Sequence, residues 1–335
     1  MQLDQLCMNL ALEKAWEYQG LTYPNPSVGS VVTHRGKIIA IEAHRKAGTS
    51  HAEVLALLSA YEKLSGSKIN FDRFDAHRAH SFLLQLPPYF FRNCTIYVTL
   101  EPCSHEGKTP SCASLLSRLK LEKAVIATAD PISSHSGGSA ILEASGIKVE
   151  IGMEEDAAKS LIEPFLVWQK RAFVLFKLAQ TFNGKIGGGY LSSQVSLRHV
   201  HQLREVCDRL LIGGNTVRTD HPTLDCRFSG GLPPDVTIYS RKKQFDQSIP
   251  LYSVEGREVL VSSDLNFLQK PSFVLIEGGE GMLRALSEHI DWYLFYQTPK
   301  LSSHNLTYNI DKDLTFLHSE KRETDMIIWS KEKDG

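Results

Sequence analysis

Apolar residues recur at helical spacing over residues 3–19 (Leu3, Leu6 and Leu10, with Met8, Leu12, Ala15 and Trp16), which predicts an opening helix. Pro24-Asn25-Pro26 then enforces extended or turn backbone. Two short β-rich runs, 28–32 and 38–41, flank His34-Arg35-Gly36-Lys37 and predict a hairpin. Helical patterns at 52–64, 113–119 and 140–144 alternate with strand patterns at 95–99, 124–128 and 147–151. That alternation predicts an α/β sandwich of roughly 150 residues. Residues 65–92 interrupt it. Asp72, Arg73, Asp75, His77, Arg78 and His80 are followed by a mostly apolar run with Pro87-Pro88. The stretch reads as a surface insertion, part helix and part loop, whose Tyr89-Phe90-Phe91 cluster packs back on the domain or on a partner.

A second unit begins near Phe173. Its pattern predicts strands at 173–178, 209–213, 235–239, 259–261, 272–276 and 292–297, with helices at 196–206 and 281–288. The turn-rich Ser229-Gly230-Gly231-Leu232-Pro233-Pro234 connects two of them. Domains are therefore expected at 1–150 and 173–335, joined by a helical segment over 151–172 that Pro164 kinks or breaks.

Length and composition narrow the class. The chain has 335 residues, 42% hydrophobic and 22% charged, enough for packed cores. With 37 basic and 38 acidic residues the formal charge is −1, so no electrostatic footprint for long nucleic acid exists. The apolar run at Phe173 ends at Lys177, too short for a membrane span, and Met1-Gln2-Leu3-Asp4 lacks the basic flank of a signal peptide. Six cysteines do not make a disulfide scaffold at this length. A soluble, cytoplasmic enzyme with a small-molecule substrate is expected, with no nucleic-acid or membrane partner.

Candidate chemistry gathers at His51, Cys103 and Cys112. One imidazole and two thiolates form a three-ligand zinc site whose fourth position stays open for water, a catalytic arrangement. Zinc lowers the pKa of that water, and Glu53, two residues from His51, can take its proton. This is the chemistry of zinc deaminases of nucleobases. Their short signature leaves two residues between the cysteines, whereas eight intervene here. Cys7, Cys94, Cys207 and Cys226 lie in apolar or mixed runs and read as inert thiols. In the second unit, two glycine turns follow strands, Gly213-Gly214 and Gly278-Gly279. Each lets backbone approach a diphosphate, although such turns also occur without any ligand.

His51-Ala52-Glu53 with Thr99-Leu100-Glu101-Pro102-Cys103 and the loop through Pro110-Ser111-Cys112 resembles the bacterial bifunctional riboflavin-biosynthesis deaminase/reductases, in which the longer loop is characteristic. Pro24-Asn25-Pro26-Ser27-Val28-Gly29 is similar too. The second half resembles the family's reductase through Lys177–Lys185, Gly214–Arg227 and Glu277-Gly278-Gly279. The resemblance implies an α/β protein with an N-terminal three-layer cytidine-deaminase-like domain, followed by a dihydrofolate-reductase-like α/β domain. It implies zinc on His51, Cys103 and Cys112, proton transfer by Glu53, and a deaminase substrate held by Asn25, His105, Lys108 and Thr109. It implies NADPH contacts at Ala179, Tyr190, Thr216, Asp220, Gly279, Glu280, Gly281, Met282 and Leu283. Arg204, Leu224, Arg227 and Glu277 would meet the reductase substrate, the two arginines suiting a phosphate. A pyrimidine ribosyl phosphate would be deaminated, then reduced at its ribosyl group. A homo-oligomer built through the reductase half is also implied.

Several positions depart from the family pattern. The insertion lengthens the His-to-Cys separation, Ser111 replaces a common proline, and Asp130-Pro131-Ile132-Ser133 lacks the Asn-Pro of the substrate loop. Asn183 stands for an aspartate, Tyr190 for a tryptophan after a shortened loop, Tyr239 for an aspartate and Ser302 for a glycine. Two rivals therefore stay open. One is a zinc deaminase with a non-catalytic nucleotide-binding second half. The other is a non-catalytic module whose structural zinc is closed by a fourth ligand such as His105 or His44.

Overall fold

The computed structural model describes residues 2–187, 189 and 191–333. Two compact units, Met1–Phe165 and Leu166–Gly335, divide the chain. The first contains α1 (Gln2–Trp16), β1 (Gly29–His34), β2 (Lys37–Ala43), α2 (Ala52–Ser65), α3 (Ala76–Leu84), β3 (Cys94–Val98), α4 (Cys112–Leu119), β4 (Lys123–Ile126), α5 (Gly138–Ala144) and β5 (Lys148–Ile151). Helix α6 (Glu155–Trp168) carries the unit boundary.

The five strands lie in the order β2-β1-β3-β4-β5. β1 is antiparallel to β2 and β3, and β3, β4 and β5 run parallel. Adjacent Val31 and Val32 point to opposite faces and both are fully buried, so the sheet is covered on each side. α1 presents Cys7, Met8, Ala11, Leu12, Ala15 and Trp16 as its buried stripe. It lies so close to β1 that a Cβ on Gly29 would sit 1.8 Å from the Ala11 carbonyl oxygen, which requires glycine there. The expected insertion contains one helix, α3, and its Phe91 and Leu83 are fully buried in the domain core.

The second unit holds β6 (Ala172–Thr181), α7 (Gln194–Val206), β7 (Arg209–Gly213), α8 (Gly214–Asp220), β8 (Asp235–Tyr239), β9 (Val259–Ser262), β10 (Ser272–Glu277), α9 (Glu280–Ala285), β11 (Trp292–Thr298), β12 (Leu314–Arg322) and β13 (Asp325–Glu332). Its eight strands lie in the order β12-β13-β11-β6-β10-β7-β8-β9. From β11 to β9 neighbours are parallel, and an antiparallel hairpin closes the β12 edge. Phe173–Phe176 and Phe273–Ile276 are buried without alternation, as parallel strands covered on both faces require.

Three local expectations change. The turn expected after Gly213 is the start of α8. α6 continues through Pro164 without a break, because Leu161, Ile162, Phe165 and Trp168 are buried along it and hold it across the missing amide. The hairpin β12–β13 lies outside the expected elements, and its edge strand β12 shows no regular alternation of buried and exposed positions. Among the described residues no helix is long and apolar enough to cross a membrane.

Candidate metal centre and reductive cleft

The metal-ligating types meet where two helices begin. His51 precedes α2 in extended backbone, and Cys112 opens α4 behind Ser111, whose hydroxyl caps that helix by accepting Ser114 N–H at 3.1 Å. Cys103 lies on the loop after β3, joined to Cys112 by Cys112 N–H to Cys103 Sγ at 3.4 Å. Cys112 Sγ and Cys103 Sγ stand 3.4 and 3.7 Å from His51 Nδ1, and all three ligand atoms fall within 4.8 Å of one another. A tetrahedral zinc with bonds of about 2.0 Å to nitrogen and 2.3 Å to sulfur keeps its ligand atoms about 3.5 Å apart or slightly more, so the donor set fits. Among the described residues no fourth His, Cys, Asp or Glu joins the cluster. His44, a conceivable closing ligand, is engaged elsewhere, its Nδ1 on the Ser50 carbonyl and its Nε2 on Asn25 Nδ2.

The ligands are poised electrostatically. A hydrogen bond from Cys112 holds the Cys103 thiol down to about 4, against burial and with help from His51. Cys112 is correspondingly pushed far up. Burial alone would depress His51, but the Cys103 thiolate outweighs it and raises its pKa. Thr109 Oγ1 lies 3.0 Å from His51 Nε2, and accepting that N–H leaves Nδ1 as the nitrogen facing the thiols. Glu53, buried on the first turn of α2, has its carboxyl raised above the usual range, mainly by burial.

A cavity of about 300 Å³ opens over this cluster, lined by Asn25, Glu53, Lys108, Thr109 and the rest of the candidate deaminase residues. His51, Cys103 and His105 all face it. The structure thus brings Asn25, His105, Lys108 and Thr109 together around Glu53. Burial drives His44 down to about 3, so it is neutral. With its Nδ1–H on Ser50, its Nε2 accepts from Asn25 and aims that amide. His135 is a further lining residue that carried no sequence signal. Its ring stacks on His105, centroids 4.2 Å apart at 13°.

The second unit holds a different centre. Glu277, at the end of β10, receives Arg204 Nε and Nη2 at 2.5 and 3.0 Å, with Lys177 Nζ at 3.6 Å. Although burial would raise it, Arg204 first and then Lys177 hold Glu277 down to about 2. Arg204 Nη1 goes to the Asp225 carbonyl at 3.1 Å. Each guanidinium nitrogen of Arg204 therefore already makes one bond within the protein, and the second N–H groups on Nη1 and Nη2 are what it has left for a phosphate. Arg227 is half exposed and holds Asp225 at 2.8 Å. Lys177 has one available signal, a charge interrupting an apolar strand, which demands a partner. Leu224 is buried in left-handed backbone (φ 57°), and its carbonyl accepts Arg257 at 2.7 Å.

A separate cleft of about 520 Å³ is lined by Thr216, Gly279, Glu280, Gly281 and Met282, together with Arg218, Ser240, Arg241 and Lys242. Glycine backbone forms part of its wall: a Cβ on Gly214 would meet Ser240 at 2.8 Å, and one on Gly279 would meet Ile186 at 3.2 Å. Beyond Gly281 a Cβ would meet nothing within 4 Å. Open backbone, hydroxyls and three cations fit a ligand bearing phosphates. Leu283 instead is buried in the core and faces another cavity. Asp220 is exposed at the end of α8, takes Thr219 Oγ1 at 3.0 Å, and does not line the cleft; Ala179 does not line it either. Tyr190 lies outside the described residues.

Comparison with known proteins places both units. The model of the cytidine and deoxycytidylate deaminase zinc-binding region matches residues 1–128, and that of the RibD C-terminal domain matches residues 172–327. The riboflavin biosynthesis protein RibD of Aquifex aeolicus is 37% identical over 235 residues, 68% of this chain and 58% of that protein. Its counterpart in Synechocystis is 32% identical over 269 residues, covering 78% and 66%. The matched stretch thus spans under two thirds of either relative. Among solved structures, Acinetobacter baumannii RibD aligns over 99% of both chains at 25% identity and TM-score 0.63. A Thermotoga maritima diaminohydroxyphosphoribosylaminopyrimidine deaminase/5-amino-6-(5-phosphoribosylamino)uracil reductase aligns over 99% of both chains, at 25% identity and TM-score 0.65.

Proposed function

The chain belongs to the RibD family of bifunctional riboflavin-biosynthesis deaminase/reductases, and from that premise we propose that it catalyses two consecutive steps. The first is hydrolytic deamination of 2,5-diamino-6-(5-phosphoribosylamino)pyrimidin-4(3H)-one. The second is NADPH-dependent reduction of the ribosyl group to ribityl, giving 5-amino-6-(5-phosphoribitylamino)uracil. The observation that carries this reading is the three-ligand cluster with buried Glu53 beside it in one cavity.

Zinc held by His51 Nδ1, Cys103 and Cys112 would supply an activated water at neutral pH. Glu53 takes one proton from the attacking water and passes it to the ring nitrogen, then takes a second from the new C2 hydroxyl and passes it to the departing amine. The C2–O bond forms, the C2–N bond breaks and ammonia leaves. A carboxyl raised by burial suits both directions of that transfer. Asn25, aimed by His44, holds the pyrimidine edge, and Lys108 at the cavity wall meets the phosphate.

NADPH would supply hydride to C1′ of the opened sugar, with a proton going to the adjacent nitrogen. The cleft lined by Thr216, Arg218, Ser240 and Gly279 holds the dinucleotide, and Arg227 holds the substrate phosphate. Arg204 and Lys177 fix the Glu277 carboxylate as an acceptor for sugar hydroxyls. The closure of Arg204 on Glu277 favours a second reading, a deaminase whose other half only binds substrate. Mass spectrometry of products from zinc-loaded protein, with and without NADPH, separates them. Ammonia release alone followed by conversion to the ribityl product on adding NADPH is expected. Arrest at the deaminated ribosyl compound would remove the reductase assignment.

A further inference from the structure

The segment between α2 and β3 has no part in the chemistry above, yet it is firmly built. Asp75 caps α3 by accepting Arg78 N–H at 3.0 Å. Phe82 and Phe90 pack on Tyr61 of α2, with ring centroids 5.0 and 5.6 Å away. Arg73 bonds Glu62 and Ser59 on α2, at 3.1 and 3.2 Å, and Glu42 on β2 at 3.3 Å.

From this base the segment reaches two places beside the metal ligands. The Arg73 carbonyl accepts Ser50 Oγ–H at 2.7 Å, and the Phe74 carbonyl accepts the Ser50 amide at 3.2 Å. Ser50 is fully buried and immediately precedes His51, and its own carbonyl receives His44 Nδ1–H. On the other side, His80 Nε2 donates to the Ser111 carbonyl at 3.4 Å. Ser111 immediately precedes Cys112, and its hydroxyl donates to the Cys103 carbonyl at 2.8 Å. One segment therefore grips the residue before each of two ligands that lie 61 residues apart in sequence.

We propose that the 66–93 segment is a clamp that positions the metal ligands, with Arg73, Phe74 and His80 holding Ser50 and Ser111 so that His51 and Cys112 keep their separation. Ligands on independently mobile backbones lose affinity because binding must then order them, and groups behind the ligands supply that order in advance. The inference rests on the zinc reading but not on either catalytic step.

The test uses the full chain loaded with cobalt(II), read by its thiolate and ligand-field absorption and by competition with a chelator. Wild type is expected to bind one cobalt with a tetrahedral spectrum. Ser50→Ala and His80→Ala are expected to weaken binding about tenfold each and to shift the spectrum. His80→Gln, whose amide can still donate to Ser111, is expected to restore both. Phe71→Ala, which loosens only the outer packing, is expected to lower the thermal midpoint of the metal-free protein while leaving affinity and spectrum unchanged. If His80→Ala does not fold, Ser50→Ala, which loses one hydroxyl, decides alone. Wild-type affinity and spectrum in the folded clamp variants would overturn the proposal, as would an equal change in Phe71→Ala. Failure of wild type to bind cobalt would instead overturn the zinc reading, and the clamp with it.

Discussion

The two centres handle buried charge in opposite ways. Around Glu277 the account is settled internally: a carboxylate is met by Arg204 and Lys177, and its acidity follows from them. Around His51 it is not. A thiolate at Cys103 and a carboxyl at Glu53 share one buried corner with a single imidazole, and burial raises the carboxyl although His51 pulls it the other way. A buried cluster short of positive charge awaits a cation, whereas a carboxylate already matched by cations orients its own groups. The contrast assigns binding to the first and positioning to the second.

The strongest way to separate the centres is Glu53→Gln. It should lower deamination about 10³-fold while zinc content, by elemental analysis, and NADPH-dependent reduction stay at wild-type levels. Lost zinc would make Glu53 a ligand rather than a proton carrier. Next comes Glu277→Ala, which leaves Arg204 and Lys177 facing each other at depth and should cost about 3–5 kcal/mol in urea unfolding. Acid probes the same pair. Glu277 is depressed from 4.5 to about 2, so its contribution is full above about 4.5 and is lost as pH falls toward 2. Glu277→Gln should flatten the loss of stability across that window, and an unchanged acid slope would mean the pair contributes little. The mildest break is Arg227→Ala, expected to raise the reductase KM about tenfold and leave deamination kinetics untouched. Unchanged reduction would return the phosphate to Arg204.

The same contrast explains what could be read from the sequence. His51, Glu53, Cys103 and Cys112 announce themselves because zinc chemistry restricts residue type, and their helix starts are marked by local pattern. Parallel strands such as Phe273–Ile276 are visible as unbroken apolar runs. The Arg204–Glu277 pair spans 73 residues and joins a helix to a strand, so residue type alone leaves Arg204 looking like an idle phosphate ligand. His80 and His135 act through backbone and ring contacts that have no sequence period. The β12–β13 hairpin was missed for a related reason, since an irregularly exposed edge strand resembles a loop.

The eight residues from Ser104 to Ser111 carry the cavity wall at His105, Lys108 and Thr109, while their two ends are tethered to the thiols. Metal grip and substrate lip are thus one short arc with fixed endpoints. Side chains along it can be exchanged one at a time, but an insertion or deletion would move the cysteines themselves. For a lineage of such enzymes, new base preferences are accessible by substitution within the arc, and changes in its length are closed off.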